Sequence, residues 1–412
     1  MYANDRGELL DDPGLQMLGG SGGKWVTPDP AEMMPLPEGA SLVTVPQQRA
    51  VGLDGYGKPK LVSNEEAAWT AAALLPQGFT RTLIPAGVEI EDYAGKLPLL
   101  GYTAIGFHDG QVYAAALQAD EHRKWHPDNF NTEDLPLKIR EFRKKYPGNQ
   151  IYAQLERCAT EYSCFTAQNI FYRRWEGGIP TTNVCNARCL GCISEDHIGV
   201  LLPQVRLSFH PELEEVCGVG VEHLTKAEDG IISFGQGCEG DPVLNAEFLS
   251  GAIRRIRAAA GAGTINMNTN AGHAEGVKKM CAAGLDSIRI SIFSCLKHNY
   301  NKYHNPRGYD LKEVAESVKI AKEYGCFIAL NLLTFPGFTD RESEIEALLT
   351  FVRKNPVDMI QFRNLNIDPS QLWRRIDISE EGIGIVNLVN VLETEAPHLR
   401  LGSYTPPVGQ KI

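Results

Sequence analysis

The sequence lacks the features of an exported or membrane-spanning protein. No apolar run approaches the roughly 20 residues that a membrane-spanning helix needs. The N-terminal segment has neither a basic region nor an apolar stretch behind it, so no secretory signal is visible. We therefore expect a cytoplasmic protein without membrane contact.

The sequence also has too few clustered basic residues for a broad nucleic-acid surface. It contains 40 Lys and Arg against 51 Asp and Glu, which gives a formal net charge of -11 at pH 7. Recognition of nucleic-acid phosphates normally rests on clustered Lys and Arg. Nucleic acid is therefore not an expected partner, and the local basic run from Lys138 to Lys145 is typical of the solvated face of a helix.

What is present is the composition of a globular protein with a substantial core. The chain has 412 residues, of which 43% are apolar and 22% charged, and this length allows two or three domains. In a cytoplasmic protein, its ten cysteines are better explained by metal binding or catalysis than by disulfides. Seven of them lie between Cys158 and Cys238.

Three of these cysteines form the most informative motif of the chain. Cys185, Cys189 and Cys192 follow a C-x3-C-x2-C spacing on one loop, just after a strand predicted over residues 178–182. Three thiolates on one loop suit a [4Fe–4S] cluster and leave its fourth iron without a protein ligand. An open iron is a place where a small molecule can bind and be reduced.

A structural zinc site is the alternative interpretation of this loop. His197 lies close behind Cys192 and could complete a closed Cys3His tetrahedron, which would make the protein a non-enzymatic zinc-binding interaction protein. Zinc modules usually supply their ligands as two separated pairs, whereas here three thiols share one loop. This difference favours the iron–sulfur cluster.

After Glu176 the chain alternates between short apolar or β-branched segments and helical patterns. Such alternation predicts a parallel sheet with helices packed outside it. The predicted strands span residues 178–182, 231–234, 264–268, 287–292, 327–333 and 359–362. The helical stretches include residues 244–259, 311–324 and 341–354. Six units are fewer than the eight of a closed barrel.

The part of the chain before Glu176 carries no motif that we can assign. Residues 1–40 are rich in Gly, Pro and Asp, which predicts an extended or partly disordered arm. Residues 41–174 predict a small α+β domain, with a helical run over residues 65–75 and a hairpin turn at Asp109-Gly110. A core over residues 175–368 and a C-terminal extension over residues 369–412 complete the expected division.

At the cysteine loop the chain resembles the radical SAM superfamily, which holds its catalytic cluster with this spacing at the end of the first barrel strand. The core of that superfamily is a partial (β/α)6 barrel, so the resemblance implies an α/β fold of this kind after a small α+β N-terminal domain. It also implies a [4Fe–4S] cluster on Cys185, Cys189 and Cys192, with S-adenosylmethionine (SAM) on the open iron. The implied activity is enzymatic: a 5′-deoxyadenosyl radical abstracts hydrogen from an unidentified substrate.

One residue departs from the superfamily pattern. Gly191 stands where an aromatic residue commonly precedes the third cysteine and lies against the adenine of SAM. Adenine must therefore find its stacking or apolar contact elsewhere in this chain.

A glycine-rich run from Phe234 to Asn245 resembles the Gly-Gly-Glu-Pro motif that contacts the methionyl part of SAM. The motif can be aligned through Gly237 and Glu239, or from Gly240 onward, and the second alignment matches more positions. Later strands add polar groups. The SAM contacts implied by the resemblance are Gly237, Glu239, Gly240, Asp241, Asn268, Arg289 and Ser291.

Some of these polar residues have structural alternatives. Asn266, Asn268 and Asn270 alternate along one strand and share a face, so they could equally form a hydrogen-bonded ladder. Gln361 and Arg363 on the sixth strand could contact a substrate or serve structural pairing.

Several further residues keep open interpretations. Cys158, Cys164 and Cys217 could join Cys238 in an auxiliary cluster, although their spacings match no motif. The segment 297–305 is dense in hydrogen-bonding groups, and a solvated loop is favoured over a substrate loop.

The catalytic residues, the substrate and the reaction class are not predicted. The substrate is expected to be a small molecule or a peptide, and the electron donor a protein such as flavodoxin or ferredoxin. The reaction could be that of an oxidoreductase or a transferase.

Overall fold

A computed structural model of the chain describes residues 1–63, 67–90, 97–121, 123–130, 132–377, 379–404 and 406–408. Within these residues, no helix is both long and apolar enough to cross a membrane.

The part of the chain before residue 175 consists of short antiparallel strands followed by three helices. Its largest sheet is built around the paired strands β7 and β9, with β1 on the far side of β9. The strands are β1 (Tyr2–Ala3), β2 (Leu9–Leu10), β3 (Gln16–Met17), β4 (Gly19–Ser21), β5 (Lys24–Val26), β6 (Met34–Pro35), β7 (Ser41–Leu53), β8 (Pro59–Leu61), β9 (Trp69–Leu74), β10 (Phe79–Arg81), β11 (Ile84–Pro85), β12 (Gly87–Glu89), β13 (Tyr102–Thr103), β14 (Ile105–His108), β15 (Gln111–Ala114) and β16 (Ala116–Gln118). The helices are α1 (Leu135–Lys145), α2 (Gln150–Thr160) and α3 (Phe165–Tyr172).

The first forty residues differ from the expected arm. They form short strands that pair with later ones: β1 with β9, β3 with β7, and β4 with β11. The glycine run closes the hairpin between β4 and β5, where Gly22 and Gly23 both have positive φ angles. The glycines that suggested a disordered arm therefore form a tight turn in an ordered sheet.

The helical run expected over residues 65–75 is also wrong where the structure describes it. Trp69–Leu74 is strand β9, and Glu65 lies outside the described residues. The alanine-rich sequence favours a helix, but β9 pairs with β1, β7 and β13. Pairing with three strands outweighs a local helical preference.

The second half of the chain forms one parallel sheet whose strands follow each other in sequence order. The described part of the sheet has seven strands: β17 (Glu176–Gly178), β18 (Ile231–Phe234), β19 (Thr264–Thr269), β20 (Ser287–Ile292), β21 (Phe327–Thr334), β22 (Met359–Asn364) and β23 (Arg400–Gly402). The helices are α4 (Leu213–Lys226), α5 (Ala246–Ala260), α6 (Ala274–Ala282), α7 (Lys297–His304), α8 (Leu311–Glu323), α9 (Glu342–Lys354), α10 (Pro369–Trp373) and α11 (Ile385–Glu395). This is the expected α/β class with a partial barrel.

The sheet differs from the prediction at both ends. The first strand ends at Gly178 instead of spanning residues 178–182, because Thr181 and Thr182 bond to the loop after β18. The last strand, β23, lies in the expected C-terminal extension and pairs with β22. The extension therefore supplies a seventh strand, while the boundaries at residues 174 and 368 stay predictions.

The two faces of the strands divide the core. Apolar residues such as Ile265, Met267 and Ile290 are fully buried in the main hydrophobic core. The alternating positions place polar side chains inside the barrel. Because the strands are parallel, their carboxyl ends meet at one edge, where functional groups of such folds collect.

The N-terminal region packs against this carboxyl edge. Arg81 N donates to Asn364 Oδ1 (3.0 Å) at the end of β22, and Asn364 Nδ2 donates back to Phe79 O (3.0 Å). Near the end of β21, Gly22 N donates to Pro336 O (3.3 Å). The N-terminal region thus forms a wall beside the mouth of the barrel.

Candidate functional site

The cysteine loop is bound on one side to the glycine-rich loop that follows β18. Gly240 N donates to Thr182 O (2.7 Å), and Asp241 N donates to Val184 O (2.8 Å). These two backbone bonds join the loops that follow β17 and β18. The two sequence motifs are therefore held side by side.

The other side of the cysteine loop is bound to the end of helix α7. Arg188 N donates to His304 O (2.9 Å), and Leu190 N donates to Tyr303 O (3.0 Å). The carbonyl groups at a helix end lack partners within the helix. Here they fix the loop that carries Cys189.

The three cysteines line one cavity of about 360 Å³ at the carboxyl edge of the sheet. The structure brings six of the seven predicted SAM-contact residues to the same cavity: Gly237, Glu239, Gly240, Asp241, Asn268 and Ser291. Their assignment as SAM contacts stays a prediction.

Arg289 is the predicted contact that does not reach this cavity. Its guanidinium pairs with the Glu176 carboxylate and donates to Ser233 Oγ (3.2 Å) inside the barrel. Arg289 and Ser291 do share a strand face, but Arg289 lies nearer the amino end of β20. It therefore holds the barrel interior together.

Of the three asparagines, one fits the hydrogen-bonded ladder and two line the cavity. Asn266 is fully buried and contacts the side chains of Ser233 and Ser287, as in a structural ladder. Asn268 lines the cavity. Asn270 also lines it, and its amide bonds to the Asn186 amide oxygen (2.7 Å), which fixes the cysteine loop.

Burial favours the protonated thiol at two of the three cysteines. Burial and, to a smaller extent, the Asp241 carboxylate raise the pKa of Cys185 to about 11. Burial also raises the pKa of Cys189 well above its ordinary value. Thiolate ligands here need a positively charged partner, which the irons of a cluster provide.

The arrangement of the donor set fits a cluster better than a single ion. Within the described residues, no three His, Cys, Asp or Glu side chains form a group that could hold one metal ion. A [4Fe–4S] cluster does not need such convergence, because each thiolate binds a different iron. His197, the expected fourth ligand of a zinc site, lies 3.6 Å from Glu195 Oε2 through its Nε2 atom.

Glu239 is occupied by structural hydrogen bonds. One carboxylate oxygen accepts from Thr181 N (2.7 Å), Thr181 Oγ1 (3.1 Å) and Thr182 N (3.2 Å). The other accepts from Gly235 N (2.6 Å) and Gln236 N (2.7 Å). Burial raises the pKa of Glu239 to about 7, and these bonds oppose the rise. Glu239 therefore shapes the glycine-rich loop around the end of the first strand.

Asp241 accepts fewer hydrogen bonds than Glu239. Its Oδ1 atom accepts from Thr269 Oγ1 (2.6 Å) and Val243 N (3.1 Å), and its Oδ2 atom accepts from Asn270 N (2.7 Å). A carboxylate has about four acceptor positions. The Oδ2 atom, with one donor, thus has room for one more.

Two glycines of this loop cannot carry a side chain. A Cβ atom at Gly240 would overlap the Val184 carbonyl, and one at Gly235 would overlap the Asn268 carbonyl. Gly235 also has a positive φ angle of 82°. These glycines therefore permit the close backbone approach that brings the loop against the cysteines and β19.

Tyr303 occupies the space beside Gly191. Its hydroxyl oxygen lies 2.7 Å from the position that a Cβ atom of residue 191 would take. Tyr303 is buried, lines the cavity and stacks on Phe293 with ring centroids 4.3 Å apart. The aromatic side chain at this place therefore comes from Tyr303 on α7 and not from residue 191.

Sequence reasoning missed two residues of the site. The expected solvated loop over residues 297–305 is instead mainly helix α7, and it buries His304 next to Cys189. Arg206 donates to Cys192 Sγ (3.7 Å) and pairs with Glu195 (2.7 Å). The spacing of Tyr300, Tyr303 and His304 at helical intervals was the available signal for α7, whereas Arg206 lies in no recognisable pattern.

The candidate cysteines for an auxiliary cluster are only partly brought together. Cys158 hydrogen-bonds to Cys238, which lowers the pKa of Cys158. Cys164 N donates to Cys158 O (3.0 Å). Cys217 lies apart on α4, where its thiol faces Ala252 O (3.9 Å).

Comparison with known proteins gives a family match over much of the second half of the chain. Residues 179–352 match the family described as "Radical SAM superfamily". This range includes the three cysteines, the glycine-rich loop and α7.

Two curated relatives are GTP 3′,8-cyclases. The protein of Aquifex aeolicus is 31% identical over 169 residues, which cover 40% of this chain and 49% of that protein. The probable GTP 3′,8-cyclase of Methanosarcina acetivorans is 25% identical over 231 residues, covering 54% and 62%. The chain spans about half the length of the curated relatives it matches.

Solved structures give weaker similarity. Methylornithine synthase superposes with a TM-score of 0.38 and 15% identity, over 66% of this chain and 74% of that one. SuiB of Streptococcus suis, bound to the precursor peptide SuiA, gives a TM-score of 0.40 and 13% identity, over 61% and 52%.

Proposed function

We propose, from the premise that this chain carries a radical SAM domain over residues 179–352, that it is a radical SAM enzyme acting on a small molecule. The cofactors of this family are a [4Fe–4S] cluster and SAM. When bound and reduced, they supply a 5′-deoxyadenosyl radical that abstracts hydrogen from a substrate. The observation that carries the proposal is that three cysteines and a glycine-rich loop line one cavity.

Cys185, Cys189 and Cys192 would hold the cluster. Their loop is fixed by backbone bonds on both sides, so the backbone that carries the thiols is positioned before any metal binds. Preorganised ligands lose little conformational entropy on binding. Arg206 near Cys192 adds a positive charge beside the thiolates.

Asp241 is the carboxylate that would receive the ammonium group of SAM. Glu239 accepts five hydrogen bonds from neighbouring residues, whereas Asp241 Oδ2 accepts one from Asn270 N, and Asp241 lines the cavity. This choice agrees with the second alignment of the motif, which begins at Gly240. Asn268 and Ser291, on neighbouring strands, would contact the ribose or the methionyl part.

A small molecule without several phosphates fits the cavity best. Among its described lining residues, Arg206 is the single Lys or Arg, and it is already paired with Glu195. Binding a triphosphate normally uses several cationic groups or a metal. We therefore do not carry the GTP substrate named in the relatives over to this chain.

The N-terminal region would enclose the substrate. Its bonds to Asn364 and Pro336 lie at the ends of β22 and β21, beside the mouth of the barrel. We propose the part of the chain before residue 175 as an α+β unit with this role, because β1, β3 and β4 pair with strands after residue 40. The parallel sheet from β17 onward is proposed as the core. A wall at this place favours an enclosed metabolite over a peptide. A reduced flavodoxin or ferredoxin would deliver the electron.

Anaerobic reconstitution tests the proposed function. The purified protein would be incubated with iron and sulfide, reduced with dithionite and supplied with SAM. We expect about four irons per chain and formation of 5′-deoxyadenosine and methionine. A colourless protein that retains zinc after purification would contradict the proposal.

A second arm of the same experiment tests the substrate class. GTP would be added to the reconstituted protein, and its consumption followed by chromatography. We expect no GTP turnover under conditions in which SAM is cleaved. Cyclisation of GTP would contradict the inference that the substrate lacks several phosphates, which was made from the charge of the cavity, while leaving the radical SAM assignment intact.

A further inference from the structure

His304 is the last residue of α7 and is almost completely buried, with 1% of its surface exposed. Its ring lies between two tyrosines: the centroid of Tyr300 is 4.5 Å away, and that of Tyr303 is 4.9 Å away at a steep angle. Packing of this kind fixes the ring plane.

The hydrogen bonds of the ring define its tautomer. Phe293 N lies 3.2 Å from His304 Nε2, and a backbone N–H can only donate. Nε2 must therefore be the accepting nitrogen. A ring whose Nε2 atom accepts a hydrogen bond carries its single proton on Nδ1.

This proton faces the cysteine loop. His304 Nδ1 lies 3.3 Å from Cys189 Sγ. The carbonyl oxygen of the same histidine accepts from Arg188 N (2.9 Å), next to Cys189 in sequence. The ring and the backbone carbonyl of His304 thus both contact the cysteine loop.

We propose that His304 donates an N–H···S hydrogen bond from Nδ1 to the Cys189 ligand and is a positioning residue that sets the reduction potential of the cluster. This inference rests on the proposed function, since it requires a cluster on the cysteine loop. Hydrogen bonds to the sulfur ligands are one of the factors that set the potential of an iron–sulfur cluster. A donor stabilises the extra negative charge of the reduced state and therefore makes reduction easier.

Two amide substitutions separate the two hydrogen bonds of the ring. In His304→Asn the amide group takes the place of Nδ1 and can still donate to Cys189 Sγ. In His304→Gln the amide reaches the position of Nε2, so it can meet Phe293 N but leaves the sulfur without its donor. His298→Asn is the matched control, because His298 is exposed on the same helix.

The readout is the midpoint potential of the reconstituted cluster, measured by a redox titration followed by electron paramagnetic resonance. We expect His304→Gln to have a more negative midpoint potential. At a fixed solution potential, the ratio of reduced to oxidised cluster should fall on the order of tenfold, which corresponds to about 59 mV for one electron. We expect His304→Asn and His298→Asn to stay close to the wild-type value. Equal potentials in the wild type and His304→Gln, with full iron content in both, would overturn the inference.

A measurement on the wild-type protein covers the case in which a variant does not fold. Protein labelled with ¹⁵N-histidine would be reduced and studied by pulsed electron paramagnetic resonance. We expect a weak coupling between the cluster and a histidine nitrogen that persists in His298→Asn. A reduced cluster without this coupling would overturn the inference, whereas a wild-type protein that binds no cluster would overturn the proposed function instead.

Discussion

The guanidinium of Arg289 on β20 and the carboxylate of Glu176 on β17 form an ion pair inside the barrel. Ser233 Oγ, on the strand between them in the chain, donates to Glu176 (2.6 Å) and accepts from Arg289 (3.2 Å). Burial opposes ionisation of Glu176, but Arg289 and Ser233 outweigh it, and the pKa of Glu176 is below its ordinary value of 4.5.

The first prediction concerns this pair. Glu176→Gln leaves the Arg289 charge buried without its partner, and loss of one partner of a buried pair costs about 3–5 kcal/mol. Chemical denaturation would measure the free energy of unfolding. Glu247→Gln, at an exposed ion pair on α5, is the control and should show no measurable change. A Glu176→Gln protein as stable as the wild type would refute this role.

The same pair gives a pH dependence, which is the second prediction. Because the folded pKa of Glu176 is lowered, its contribution to stability is present above the ordinary value of 4.5 and is lost as the pH falls through the lowered pKa. The wild type should therefore lose more stability on acidification than Glu176→Gln. The measurement is the thermal unfolding temperature of both proteins over a pH series. Parallel curves of unfolding temperature against pH would contradict the expectation.

The third prediction concerns the cysteine loop. Cys189→Ala should abolish cluster binding and cleavage of SAM, since it removes one of three thiolates. The N-terminal region should stay folded. Iron and sulfide analysis, 5′-deoxyadenosine formation and circular dichroism would test this. Cys217→Ala, which removes a thiol facing Ala252 O away from the cavity, should retain about four irons. Retained SAM cleavage in Cys189→Ala would contradict the cluster assignment.

The fourth prediction concerns the contact between the two loops. Gly240→Ala forces its Cβ atom against the Val184 carbonyl, which should cost about 1–3 kcal/mol and separate the glycine-rich loop from the cysteine loop. SAM binding, measured by calorimetry on the reconstituted protein, should weaken. Gly218→Ala in helix α4 meets nothing within 4 Å and should stabilise the protein by about 0.5–1 kcal/mol. Unchanged SAM affinity in Gly240→Ala would show that the loop contact is dispensable.

The fifth prediction concerns the attachment of the N-terminal region. The buried Arg81 guanidinium donates to the carbonyl oxygens of Tyr102 (3.2 Å) and Leu365, and it lies 4.9 Å from the centroid of Phe335. Arg81→Leu leaves both carbonyls without this donor, which should cost about 1–3 kcal/mol.

Limited proteolysis should then cut more readily between the N-terminal region and the barrel. Arg140→Leu, at an exposed position of α1, is the control. An unchanged digestion pattern in Arg81→Leu would mean that other contacts hold the two parts together.

Local patterns were sufficient to predict most of the barrel. Residues 231–234 and 287–292 were predicted with the observed bounds, because each is a short, nearly all-buried strand with β-branched residues. The turn at Asp109-Gly110 is confirmed for a similar reason: both residues have positive φ angles, of 47° and 79°, between paired strands β14 and β15. The cysteine spacing likewise depends on one loop only.

Features that depend on distant contacts could not be predicted. Trp69–Leu74 is a strand because of its three partner strands, and β23 joins the sheet across about forty residues. The role of Arg289 depends on Glu176, more than a hundred residues away in sequence. The pairing of His304 with Cys189 also requires the fold, because nothing in the sequence joins the two positions.

Tyr303 and His304 are adjacent on one short helix, and they face Gly191 and Cys189 on the same loop. A bulky aromatic introduced at position 191 would have to displace the Tyr303 ring, and the helix end that moves with it carries the imidazole. Changes intended to reshape the wall of the cavity would therefore also change the surroundings of Cys189, the proposed cluster ligand. Engineering of this region has to treat residues 189, 191, 303 and 304 as one coupled unit.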